Sequence, residues 1–169
     1  RAEAASSDGK EFVPMLWGRD SLHRLDELPS SASALLGFNE PNMFHQSNMT
    51  PKEACDLWPH LEAAADRMGA SLGSPGVNHC HPAEVQKPGK GCTQDPYLWL
   101  LEFTRTCPSA RIDFIHTHHY GCSADAVIDY ITAMSANFSR PVWLTEFACP
   151  QRALEYMQEV LPRLEDLPE

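Results

Sequence analysis

Two glutamates, each placed just after an apolar stretch, are the residues of this sequence best suited to catalysis. Glu40 follows the apolar run 35–38, and Glu146 follows the apolar run 142–144. Pro41 cannot continue a hydrogen-bonded ladder and disfavours a helical backbone at Glu40, so we expect this carboxylate at a strand end. Strands buried on both faces are typical of parallel sheets, whose catalytic groups lie at the carboxyl ends of the strands. Paired carboxylates placed there can transfer protons or act as nucleophiles.

The strands that would carry these glutamates belong to an alternation of predicted strands and helices. Apolar runs predict strands at 12–18, 35–38, 70–75, 112–120 and 141–148. Helical spacing and capping residues predict helices at 20–28, 50–68, 95–107, 123–138 and 151–164. Asp20 is the expected cap of the first helix, Thr50 opens a capping box, and Leu98 is placed among the inward residues of the third helix. A long loop is expected over 76–93.

Strands that alternate with helices predict a parallel sheet of right-handed βαβ units. In a (β/α)8 TIM barrel each unit takes roughly 30 residues. The two glutamates are about three units apart on that scale, so Glu40 would end the fourth strand if Glu146 ends the seventh. Residues 1–10 are predicted to be a loose N-terminal tail, and 11–169 a single domain.

The charge of the chain restricts its partners. Its 169 residues carry a formal net charge of −10, which argues against nucleic acid or an anionic membrane surface as a partner. No apolar run approaches the roughly 20 residues that span a bilayer. A neutral substrate fits this charge best.

Cysteines and glycosylation sequons favour a secreted or cell-wall protein. The six cysteines are compatible with three disulfides, and their pairing stays open, although Cys80 and Cys92 could close a local ring. Asn48 and Asn137 each begin an N-glycosylation sequon. Together these features indicate an oxidising compartment. The chain begins at Arg1, from which we expect a processed or truncated product.

An ordered set of segments resembles glycoside hydrolase family 128, the group known as glycosyl hydrolase catalytic domains. The resembling segments are 12–18, 35–42 (LLGFNEPN), 47–51, 58–59, 99–100, 112–115 with His118 and Tyr120, and 143–147. The resemblance implies a TIM-barrel endo-β-1,3-glucanase of the retaining clan that needs no cofactor. It implies Glu40 as general acid/base, Glu146 as nucleophile, and Asn39 as the residue that holds the sugar 2-hydroxyl.

Further substrate-binding candidates lie beside these positions. Trp17, Tyr120 and Phe147 fall at strand ends, where an aromatic ring can stack on a sugar or simply pack in the core. His118 and Tyr120 are candidates to hydrogen bond the nucleophile or the substrate, although a buried histidine satisfied within the core remains an alternative for His118. Asn42 completes the predicted binding set.

The chain departs from the family in one respect. It carries about strands three to seven of a barrel, and it lacks two strands before the first and one after the last. Either the chain is a fragment, or a partner segment or chain completes the barrel, and the activity of this piece depends on which holds. A non-catalytic glucan-binding or cell-wall structural module built on a degenerate barrel is therefore the alternative function.

Two groups of histidines suggest a metal site as a separate possibility. His79, Cys80 and His81 lie together, as do His116, His118 and His119. Their spacing matches no zinc motif, and Cys80 has a disulfide candidate in Cys92. We therefore predict no metal.

Overall fold

The computed structural model describes residues 11–87 and 91–167, so the predicted tail at 1–10 lies outside it. Its strands are β1 (Ala34–Leu35), β2 (Ser71–Leu72), β3 (Val77–Asn78), β4 (Ile115–Tyr120) and β5 (Val142–Ala148). Its α-helices are α1 (Pro51–Met68), α2 (Pro96–Thr106), α3 (Ala124–Phe138) and α4 (Ala153–Glu165). Two 3-10 helices cover Arg19–Glu27 and Pro82–Glu84.

Extended segments lie side by side in parallel, in the order in which they occur along the chain. β1 pairs with β2, while β4 lies between β3 and β5. Parallel bridges extend these pairings, because Met15 bridges Leu36 and Gly73 bridges Phe114. The parallel α/β fold expected from the sequence is confirmed, and the described residues form no closed barrel.

The central segment is broken, which the sequence did not predict. The expected strand at 70–75 covers only Ser71–Leu72, and β3 lies inside the stretch expected to be a loop. Pro75 separates the two pieces, since proline has no amide hydrogen for the ladder. Pairing resumes at Gly76, whose amide donates to the carbonyl of Phe38 at 2.7 Å.

The helix predicted at 50–68 forms as α1, with Thr50 as its N-cap. The Thr50 hydroxyl accepts the amide of Glu53, whose side chain accepts the Thr50 amide in return, and Gly69 ends the helix in the left-handed conformation. The first helix differs from its prediction, because it is a 3-10 helix whose N-cap is Gly18 and not Asp20. In α2 the predicted inward residue Leu98 is 50% exposed.

Aromatic packing holds the helices against the strands. Trp58 of α1 contacts Phe38 and Phe103 edge to face, with ring centroids 6.1 and 5.1 Å apart. All three rings are buried. Nε1 of Trp58 donates to the carbonyl of Arg111 at 3.0 Å, so the indole buries its apolar surface without leaving its donor unpaired.

Three disulfides join the loops and helices: Cys55–Cys107, Cys80–Cys92 and Cys122–Cys149. The second is the local ring anticipated from the sequence. The third joins the residues after β4 to those after β5, at the same end of the sheet. Within the described ranges, no helix has the length and apolarity that a membrane crossing requires.

Replacing Thr50 by Ala tests the capping box. The change removes the acceptor for the Glu53 amide, and we expect the free energy of unfolding to fall by about 1 kcal/mol. Thr50→Ser keeps the hydroxyl and should lower the free energy of unfolding much less. Urea unfolding of both variants measures the difference, and equal stability of the two would contradict the role assigned to the cap.

Candidate active site

Glu40 is held at the end of its segment by the backbone on either side of it. The amide of Asn39 donates to the carbonyl of Trp17 at 2.9 Å, and the amide of Glu40 donates to the carbonyl of Gly76 at 2.7 Å. Glu40 itself has φ of 43°, in the left-handed region. Such a conformation costs a non-glycine residue of order 1–3 kcal/mol and is found mainly at functional sites. The side chain is turned inward and is only 5% exposed.

A bulge in β5 sets the direction of Glu146. Thr117 pairs with Leu144, but the next residue, His118, pairs with Glu146, so Thr145 has no partner on β4. Residues paired in register project from the same face of a sheet, and a bulge re-aims the side chain that follows it. The shift therefore places Glu146 beside His118 instead of on the opposite face.

His118 and Tyr120 connect the two carboxylates. Nδ1 of His118 lies 2.8 Å from Oε1 of Glu40, and its Nε2 lies 3.6 Å from Oε1 of Glu146. The Tyr120 hydroxyl donates to Oε2 of Glu146 at 2.7 Å. Partial burial, together with this hydrogen bond and the charge of Glu146, raises the pKa of Tyr120 to about 12. The phenol therefore keeps its proton at neutral pH and acts as a donor.

An open cavity of about 460 Å³ lies over this cluster. It is lined by Met15, Trp17, Asn39, Glu40, Met43, Gln46, Asn78, Tyr120 and Glu146. A larger cavity of about 770 Å³ shares Met15 and Trp17 with it but contains neither glutamate. The smaller of these two cavities is thus the candidate active site, because both Glu40 and Glu146 line it.

Most of the predicted site residues converge on this cavity. Asn39, Trp17 and Tyr120 line it beside the glutamates. His118 lies beneath it, fully buried, and reaches it only through its contacts with the carboxylates.

Asn42 and Phe147 do not line the cavity. Asn42 is fully buried; its Nδ2 donates to the carbonyl of Asn78 at 2.9 Å, and its Oδ1 accepts the Asn78 amide at 3.0 Å. These contacts tie the segment after Glu40 to β3. Phe147 packs in a second cluster around Cys149 and Tyr156.

Sequence reasoning missed several residues at or near the site. Gln46 accepts a hydrogen bond from Nδ2 of Asn39 at 3.1 Å, and Asn78 leaves its buried Oδ1 without a partner among the described residues. His116 lies behind His118, with their Nε2 atoms 3.2 Å apart. Every second residue of a strand lies on the same face. The positions of His116, His118 and Tyr120 in the sequence could therefore have indicated that His116 lies beside His118.

Four of the eight histidines form two pairs with different surroundings, His116 with His118 and His79 with His119. Ligand atoms of Glu40, His118 and Glu146 lie within 4.8 Å of one another, a spacing that one metal ion could bridge. Two of these residues already hydrogen bond each other, so no cation is required to explain their approach, and we assign none. On the opposite face of β4, His119 packs on His79, with ring centroids 4.4 Å apart.

Comparison with known proteins identifies the family. The model of the glycosyl hydrolase catalytic core matches residues 1–167. The chain belongs to this family. Its sequence is also 30% identical over 146 residues to alkali-sensitive linkage protein 1 of Schizosaccharomyces pombe, covering 85% of this chain and 24% of that protein. The chain thus spans about a quarter of the length of this curated relative.

Solved structures of glycoside hydrolase family 128 share the fold. The subgroup II endo-β-1,3-glucanase of Sorangium cellulosum is 36% identical, with a TM-score of 0.80 over 95% of this chain and 67% of its own. The subgroup I endo-β-1,3-glucanase of Amycolatopsis mediterranei, solved with laminaritriose, is 30% identical, with a TM-score of 0.76 over 96% of this chain and 70% of its own. The family resemblance inferred from the sequence is confirmed.

The buried imidazole of His119 generates a prediction for stability against pH. Burial, together with the adjacent His79 ring, lowers the pKa of His119 to about 4 from an ordinary value of 6.5. The unfolded chain therefore takes up a proton before the folded chain does. Stability that is fully present above about pH 6.5 should be lost as the pH falls toward 4, by at most about 1.4 kcal/mol per pH unit from this group.

Urea unfolding at several pH values between about 7 and 4 measures this dependence. His119→Gln should make the slope smaller by the contribution of this one group, whereas His60→Gln, which removes an exposed imidazole, should leave the slope of the unaltered protein. An unchanged slope in His119→Gln would refute the assignment.

Proposed function

We propose that this chain forms the catalytic part of a retaining glycoside hydrolase that cleaves β-1,3-glucan. In this proposal Glu146 attacks the anomeric carbon while Glu40 protonates the leaving oxygen, and Glu40 then activates the water that releases the product. The observation that carries the proposal is the convergence of the two carboxylates, distant along the chain, beneath one open cavity.

The separation of the carboxylates supports the retaining mechanism. An oxygen of Glu40 and one of Glu146 lie within 4.8 Å of each other. Retaining enzymes hold their carboxyl groups about 5–5.5 Å apart, whereas inverting enzymes leave about 6.5–9.5 Å for a water molecule. Their different surroundings also suit different roles, because Glu40 is 5% and Glu146 40% exposed.

The shape and lining of the cavity support a sugar substrate. The cavity is open enough for a polysaccharide to extend beyond it on both sides. Trp17 offers an exposed ring on which a sugar can stack. In this proposal Asn39, whose Nδ2 donates to Gln46, holds the sugar 2-hydroxyl beside Glu40. The Amycolatopsis mediterranei glucanase was solved with laminaritriose and, as a variant, with laminarihexaose, which favours β-1,3-glucan among neutral polysaccharides.

Other predicted residues take supporting roles in this proposal. His118 and Tyr120 orient the carboxylates through the hydrogen bonds described above. For Asn42 we propose a structural role in place of substrate contact, since both Nδ2 and Oδ1 of its side chain are hydrogen bonded to the backbone of Asn78. For Phe147 we propose a packing role, since it lies against the cluster around Cys149 and Tyr156 and does not line the cavity.

Glutamine variants of the full-length protein test the assignment of the two glutamates. Glu146→Gln removes the nucleophile, and Glu40→Gln removes the acid/base, so laminarin hydrolysis should fall by at least about 10²-fold in each. Glu155→Gln, an exposed position on α4, is the matched control and should keep full activity. Proton NMR of the first product should show retention of the anomeric configuration.

The rival function is a non-catalytic glucan-binding or cell-wall module. A laminarin binding isotherm measured alongside hydrolysis separates the two. Binding without cleavage by the unaltered protein would select the module, and undiminished cleavage by Glu146→Gln would remove the two-glutamate mechanism.

We further propose that the parallel segments belong to an eight-stranded (β/α) barrel completed by another segment or chain. Among residues 11–87 and 91–167, β5 pairs with β4 alone, and along β5 Trp143 stays 39% exposed. The solved relatives extend beyond this chain by about a third of their length. The three disulfides favour a secreted or cell-wall location for the complete protein.

Hydrogen exchange of the full-length protein tests the barrel. A strand bonded on both sides should protect the β5 amides on the edge away from β4, whereas an open edge leaves them in fast exchange. Protection that persists on dilution places the missing strand in the same chain, while protection lost on dilution indicates a separate partner. Fast exchange at every concentration would refute completion.

A further inference from the structure

His116 is a buried histidine that the proposed mechanism does not use. Its side chain is fully buried, and its Nε2 lies 3.2 Å from Nε2 of His118. Among the described residues, Nδ1 of His116 has no hydrogen-bond partner. Each ring nitrogen of a neutral imidazole is either a donor or an acceptor, so these contacts constrain where the protons lie.

One arrangement of protons satisfies the contacts around Glu40. Oε1 of Glu40 accepts at 2.8 Å from a hydrogen on Nδ1 of His118, both when Glu40 is ionised and when its proton lies on Oε2. Nε2 of a neutral His118 is then an acceptor, so the hydrogen shared between the rings belongs to Nε2 of His116. The nitrogen left without a partner, Nδ1 of His116, then carries only a lone pair.

The opposite arrangement is less favourable. If Nε2 of His118 donated to His116, the remaining hydrogen of a neutral His116 would lie on Nδ1. That would bury an N–H group without an acceptor, which is rare because the lost hydrogen bond to water is not replaced. A charged His116 would have the same defect, and burial lowers the pKa of His116 to about 3, so the ring stays neutral.

The ring of His116 has little freedom to turn away. A Cβ built on Gly76 would lie 2.4 Å from Cε1 of His116, so the ring packs directly on the backbone of the neighbouring segment. The His116 amide also donates to the Ser74 hydroxyl at 2.9 Å. The strand and its neighbour thus present Nε2 of His116 to His118 in one orientation.

We propose that His116 is a positioning residue that holds His118 in the tautomer with hydrogen on Nδ1. In that tautomer His118 donates to Glu40, so the carboxylate keeps one orientation through the step in which it must accept a proton from water. The tautomer follows from the contacts of His116 and His118 alone, whereas its consequence for catalysis rests on the proposed role of Glu40.

The tautomer can be read directly from the full-length protein labelled with 15N-histidine. In a long-range 1H–15N correlation spectrum near neutral pH, His118 should show a protonated Nδ1 and an unprotonated Nε2, and His116 the reverse. Single histidine variants assign the signals. Protonation of His118 at Nε2, or of His116 at Nδ1, would overturn the proposal, and this readout does not depend on catalytic activity.

Variants then test the effect on catalysis. His116→Gln keeps a donor close to the position of Nε2, whereas His116→Met removes it at similar volume. We expect His116→Met to lower kcat for laminarin by about 10²-fold with little change in KM, and to shift hydrogen to Nε2 of His118. His116→Gln should restore most of kcat and the parent spectrum of His118.

His119→Met is the matched control for loss of a buried imidazole, because His119 lies on the other face of the same strand. It should leave the tautomer of His118 unchanged. Equal losses of kcat in His116→Met and His119→Met, with the His118 signals unchanged in both, would contradict the positioning role and show that His116 only fills space in the core. If the unaltered protein cleaves no glucan, the proposed function fails. The 1H–15N spectrum still decides whether the tautomer proposed for His118 is correct.

Discussion

The hydrogen bond between His118 and Glu40 is the contact on which the arrangement of the site depends. Glu40 is buried and has a left-handed backbone, a combination that would be costly if its carboxylate had no partner. Nδ1 of His118, 2.8 Å away, supplies that partner from a segment 78 positions further along the chain. The same ring approaches Glu146 through its other nitrogen, so one imidazole couples the carboxylates.

Irregularities in the sheet make this contact possible. The break at Pro75 brings Gly76 level with Asn39, where the absence of a side chain leaves room for the ring of His116. The bulge beside Thr145 turns Glu146 toward His118. Both devices interrupt regular pairing at the carboxyl ends of the strands, where a cavity can form without leaving the rest of the core unpacked.

Residues around the cavity divide between those that can touch a ligand and those that hold the others in place. The Asn42 side chain hydrogen bonds both the amide and the carbonyl of Asn78, and the disulfide Cys80–Cys92 closes the loop that follows β3. Cys122–Cys149 joins the ends of β4 and β5, the two strands that carry His118 and Glu146. Cross-links at this end restrict the loops that surround the open cavity.

Local signals in the sequence determined the helices, the order of parallel segments and the two strand-end glutamates. The capping box at Thr50 and the apolar runs before Glu40 and Glu146 depend on near neighbours, so they can be read without the fold. Tertiary structure alone decided that His118 joins the carboxylates, that His116 lies behind it, and that Asn42 serves the backbone. Those outcomes depend on the break at Pro75 and on the register of β5 against β4, which are fixed by packing between segments far apart in the chain.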